Sequence, residues 1–96
     1  MENITKEIDL GHGITKTVTR RWLRHDDARD REIYAAPHTT YAKNGVTVHV
    51  EESAGYMTYG RENATVWVDG GLAATRSFKH KENAHRKALE LLNELA

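Results

Sequence analysis

The chain contains no cysteine. No disulfide can staple it, no thiolate can hold a metal, and no cysteine nucleophile exists. A small domain without such staples must rely on packing alone. Net charge is also missing: fourteen Lys and Arg balance fourteen Asp and Glu. Proteins that coat nucleic acid carry a clear basic excess, because neutralising phosphates drives their affinity. Any basic surface here must therefore be a local patch. No apolar run exceeds a few residues, too short to cross a bilayer as a helix. The first ten residues, MENITKEIDL, show neither a basic segment nor an apolar one, so no signal peptide is expected and a cytoplasmic location is.

Catalytic signatures are equally scarce. Neither Ser53 nor Ser77 lies in G-x-S-x-G, no H-E-x-x-H occurs, and GHG and DGG are turn sequences without the Lys-Ser/Thr of a phosphate loop. Glu51 and Glu52 are adjacent on an expected strand and so face opposite sides. Six histidines are present, but none are paired at helical i,i+4 spacing. His25, Asp26, Asp27 and Asp30 could offer oxygen ligands to a hard cation, yet they lack a glycine turn and defined spacing and read as a solvated loop. The expectation is a protein that is not an enzyme and uses no cofactor and no metal.

What the sequence does contain is one domain, residues 1–96, of the α+β class: an antiparallel sheet built from hairpins with one C-terminal amphipathic helix packed on one face. Residues 3–23 alternate as a hairpin around Gly11-His12-Gly13. Ile4, Ile8 and Leu10 lie on one arm, Ile14, Val18 and Trp22 on the other, with Thr15, Thr17 and Thr19 on the wetter side. RHDDARDRE, residues 24–32, is too charged for a core and reads as a loop or one helical turn. Pro37, the single proline, interrupts the chain.

The strongest local signal is Asn44-Gly45, since a type I′ turn needs positive φ at both central residues. It sets Lys43 opposite Val46 and Tyr41 opposite Val48. Val46, Val48 and Val50 then face the core, and Thr47, His49 and Glu51 face away. Further strands are expected within residues 55–78, with turns at 60–63 and at Asp69-Gly70-Gly71. The second turn leaves its register open, and a one-residue slip would exchange the faces of Trp67 and Val68. From about residue 81 a helix is predicted, with Ala84, Ala88, Leu91, Leu92 and Leu95 forming its apolar stripe and Leu89 outside it.

Four residues before and at the start of this helix, Arg76, Lys79, His80 and Lys81, run against helix electrostatics. The N-terminus is the positive end of the macrodipole, and cations there oppose it. Cations beside free backbone N–H groups make an anion- or partner-binding site, for a phosphate or a protein carboxylate. The aromatics Trp67, Tyr56, Tyr59 and Trp22 are the expected exposed contacts, since Tyr, Trp and Arg dominate binding hot spots.

The stretch ATVWVDGGLAATRSFKHKENAHRKALELLNEL, about a third of the chain, resembles the strand–turn–strand–helix end of AP2-type DNA-binding domains. Trp67, Phe78, Glu82 and Ala84 stand at matching positions. His80 replaces that family's capping Thr, and Asn83 replaces its second acid. The resemblance implies DNA reading through the outer sheet face, by Trp67, Thr75 and Arg76 here. Double-stranded-RNA-binding domains share the sheet-then-helix order, but their Gly and Lys pattern is missing.

Two function classes follow. The first is a small binding protein, a regulator or inhibitor docking on a protein partner. In size and plainness it resembles the phage and mobile-element proteins, anti-CRISPR proteins among them, that block host defence complexes. The second is a nucleic-acid module, for DNA or RNA, using the sheet face and the cationic helix start. Pairing of exposed sheet edges or packing of helices would make a homo-oligomer, and no membrane partner is expected.

Overall fold

The computed structural model describes residues 2–53 and 63–96. Their strands are β1 (Ile4–Gly11), β2 (Ile14–Arg20), β3 (Trp22–Asp26), β4 (Arg31–Tyr34), β5 (His38–Lys43), β6 (Val46–Glu52), β7 (Ala64–Val68) and β8 (Arg76–Phe78), followed by helix α1 (Lys81–Leu95). Six strands form one antiparallel sheet in the order β1-β2-β5-β6-β7-β8, and β3 with β4 makes a separate two-stranded ribbon. The α+β expectation is what is found.

The hairpin at Asn44-Gly45 forms as the turn chemistry dictates. Asn44 and Gly45 have φ of 49° and 78°, and Lys43 pairs with Val46 and Tyr41 with Val48. Register propagates from there. Because side chains alternate, placing Val48 and Val50 inward turns His49 and Glu51 outward. β7 pairs Val48 with Val68, Val50 with Val66 and His49 with Trp67. This settles the slip: Val66 and Val68 are in the core, and Trp67 is on the opposite face.

The core lies between α1 and the inner face of the sheet. Val48, Val50, Val66 and Val68 meet Ala84, Ala88 and Leu92, with Ile14, Tyr41 and Ala64 at the margins. Alanines at 84 and 88 allow the helix to approach the sheet closely, while Leu92 fills the space one turn on. Leu89, outside the expected stripe, packs on the core, whereas Leu95 is 37% exposed. The stripe is therefore wider on the β5 side, where His85 and Leu89 flank Tyr41, and Leu95 is exposed as the last residue of the helix.

The charged run at 24–32 is a β-hairpin and not a loop or helical turn. Polar cross-strand partners replace apolar alternation: His25 pairs with Glu32 and Asp26 with Arg31. Asp30 takes φ of 48° in the turn, a conformation Asp tolerates. Trp22 belongs to this ribbon and not to the N-terminal hairpin. The ribbon is pinned at its base, where Trp22 N donates to Asn3 Oδ1 (3.0 Å) and Ala35 N to Arg21 O (2.8 Å).

Candidate functional site

Only one face of the six-stranded sheet carries the helix. The pairings place on the other face Thr5, Glu7 and Asp9 of β1, Thr15, Thr17 and Thr19 of β2, and His38, Thr40 and Ala42 of β5. They continue with Thr47, His49 and Glu51 of β6, Thr65 and Trp67 of β7, and Ser77 of β8. No Lys or Arg occupies any of these positions. The surface is a flat field of hydroxyls with a few carboxylates and one aromatic cluster.

That cluster is ordered by a chain of hydrogen bonds. The Asp69 carboxylate accepts from His49 Nε2 at 2.6 Å, and His49 Nδ1 lies 2.9 Å from His38 Nε2. An ionised carboxylate requires a donor, so in a neutral His49 ring the proton is on Nε2 and Nδ1 accepts. His38 Nε2 must then donate, which leaves His38 Nδ1 as an acceptor. Trp67 lies against both rings, stacked on His49 at 4.8 Å and edge-on to His38 at 5.5 Å. Next to it His38, Thr17, Thr19, Thr40, Glu51 and Arg21 line a cleft of about 370 Å³. Arg21, in the link between β2 and β3, is the cation on that lining.

Trp67 is thus half-buried and clamped by its neighbours. Trp22 is also half-buried, and its indole N–H donates to Glu32 Oε2. His25 Nδ1 reaches Glu32 Oε1 at 2.7 Å, and its Nε2 lies 3.3 Å from Asp30 and 3.6 Å from Asp27. The Trp22 hydrogen bond first, and the His25 ring second, hold the Glu32 carboxyl below the usual glutamate value. Tyr56 and Tyr59 lie outside the described residues.

The cations near the helix start separate into two places. Lys79, His80 and Lys81 line a cleft of about 500 Å³ together with Arg20, and Glu52 and Glu82 share that lining. Arg76 sits on β8, exposed, away from it. His80 is the N-cap residue, with φ −112° and ψ 121° and no capping bond from its side chain. Asn63 Nδ2 instead donates to Lys79 O at 2.5 Å, tying the helix start to the residue that precedes β7.

A second, partly buried chain links helix to sheet. Glu52 Oε2 accepts from His85 Nε2 at 3.2 Å, and Tyr41 Oη donates to His85 Nδ1 at 2.7 Å. Burial first, and the Glu52 charge second, raise the Tyr41 phenol above its ordinary value. Three of the six histidines, at 25, 49 and 85, are therefore each held by a carboxylate. Among the described residues no group of three or more His, Asp or Glu is arranged to hold a metal ion.

Sequence reasoning placed His49 on the outer face but missed its partnership with His38 and Asp69. Their only sequence signal was the alternation in β6. No protein-family model, curated protein or solved structure matches the chain.

Proposed function

We propose that this chain is a non-catalytic binding protein, a regulator or inhibitor that docks on a partner protein through the helix-free face of its sheet. The observation that carries the reading is the clamped Trp67. An aromatic held against two imidazoles, themselves fixed by Asp69, loses little side-chain freedom on binding, and such preordered aromatics make strong interface anchors. The surrounding threonines offer donors and acceptors without the desolvation cost of charge.

The same face supports protein over nucleic acid as partner. Phosphate contact needs cations, and the outward strand positions hold three carboxylates, Glu7, Asp9 and Glu51, and no Lys or Arg. The test is affinity capture from lysate of the source cells with the protein and its Trp67→Ala variant. The expected result is a protein partner recovered by the wild type after nuclease treatment and lost with the variant. Recovery of nucleic acid alone, or recovery indifferent to Trp67, overturns the reading.

A nucleic-acid role keeps one supporting observation, the gathering of Arg20, Lys79 and Lys81 around the 500 Å³ cleft at the start of α1. Salt-dependent binding of DNA or RNA, abolished by replacing these three together, would favour it.

A further inference from the structure

We infer that the bare half of the sheet's inner face is a docking shelf for an acidic amphipathic helix of a partner protein. The inference rests on the protein-docking reading above and adds a second surface to it. On the inner side of β1 and β2, Ile4 faces Arg20, Lys6 faces Val18, and Ile8 faces Lys16. Each aliphatic side chain stands opposite a cation, and the six positions include no acid. The outward positions of the same two strands carry acids and threonines and no cation.

α1 packs on β5 to β8 and leaves this region uncovered, with Ile4 50% and Ile8 36% exposed. The dimensions of the uncovered region suit a helix. Two strands at about 4.8 Å spacing span roughly 10 Å, one helix diameter. The eight residues of β1 run about 26 Å, the length of a helix of about 17 residues. Leu89, one turn beyond His85 on the flank facing β5, forms the inner wall.

Charge selects the occupant. An incoming helix with an apolar stripe on Ile4, Ile8 and Val18 would present its flanks to Lys6, Lys16 and Arg20, and carboxylates there complete the pairing. Two of these cations are already held: Arg20 Nε donates to Ala35 O at 3.2 Å, and Lys16 Nζ sits 5.7 Å from the centre of the Tyr41 ring. A second copy of the chain fits poorly, because shelf against shelf opposes like charges. A flat anionic membrane is kept off by α1, which stands about 10 Å above the sheet.

The test is an NMR titration with a synthetic helical peptide of about 18 residues, leucine on one face and glutamate on both flanks. The expected result is saturable shifts confined to β1, β2 and Leu89, weakening with salt, and none from the same peptide carrying lysine for glutamate. Lys6→Glu combined with Lys16→Glu should weaken binding more than tenfold in a protein that still melts cooperatively, and Glu7→Lys on the other face should not weaken it. If the double variant loses its fold, Ile8→Gln at an exposed position serves instead.

Equal binding of both peptides, shifts on the Trp67 face, or indifference to the variants overturns the shelf. So does a dimer, or binding to phosphatidylserine vesicles, that dissolves when Lys6 and Lys16 are reversed. Failure of the shelf alone is recognisable, because partner capture would still depend on Trp67.

Discussion

His49 lies flat on Trp67, ring centroids 4.8 Å apart and planes 2° from parallel, while its two nitrogens are bound to Asp69 and His38. Both in-plane contacts of the imidazole are committed, so its plane is fixed, and the indole has one flat surface to rest on. The aromatic patch is thus oriented by hydrogen bonds that never touch the indole itself.

It follows that Asp69→Asn should loosen Trp67 without removing any atom of the patch. The amide cannot enforce the Nε2 proton on His49, so the direction of the chain to His38 is lost. We expect a more mobile Trp67, read as lower fluorescence anisotropy in a Trp22→Phe background. His49→Ala should cost about 0.5–1.5 kcal/mol in denaturant unfolding, the range for an aromatic pair. An anisotropy unchanged in both variants would show that Trp67 is held by something other than this chain.

How much of this was legible beforehand follows the range of each signal. Asn44-Gly45 is local chemistry, and it set the register of β5 and β6 correctly. The stripe of α1 was readable except at Leu89, which the flank meeting β5 takes in, and at Leu95, which is the last residue of the helix. Trp67 could not be oriented from its own hairpin, because Asp69-Gly70-Gly71 permits two registers and only pairing with β6 selects one. The ribbon of β3 and β4 was misread since its pairing rests on His25–Glu32 and Asp26–Arg31 contacts, which carry no apolar alternation. The His–carboxylate links join residues 7, 20 and 33 positions apart, beyond any spacing rule.

Tyr41 gives an alkaline signature. Its folded pKa is raised by burial, so the folded state keeps the phenolic proton longer than the unfolded chain does. The stabilisation is whole below pH about 10 and is lost as pH rises through the folded value. Tyr41→Phe should therefore abolish part of the alkaline loss of stability. At neutral pH it should cost about 1 kcal/mol, since His85 Nδ1 loses its donor. Urea melts of both proteins at neutral and high pH measure the two effects together.

The position of α1 can be tested by a pair of leucines. Leu92 is fully buried and Leu95 is 37% exposed. Leu92→Ala should cost about 2–5 kcal/mol and Leu95→Ala less than about 1 kcal/mol. Similar costs at the two sites would mean that the last residue of the helix packs on the sheet as closely as Leu92 does.

Glu32 makes the ribbon of β3 and β4 sensitive to acid. Its folded pKa is depressed, so between the folded and unfolded values the unfolded chain binds more protons. The carboxylate's contribution is complete above the ordinary glutamate range near pH 4.3 and disappears as pH falls through the lower folded value. Protonation removes the acceptor charge that Trp22 and His25 share. The emission of Trp22, followed to low pH in a Trp67→Phe background, should shift with a midpoint below the glutamate range. Glu32→Gln should remove that transition and leave the six-stranded sheet intact by circular dichroism. A midpoint at the ordinary glutamate value would show that the indole and imidazole do not hold this carboxylate in solution.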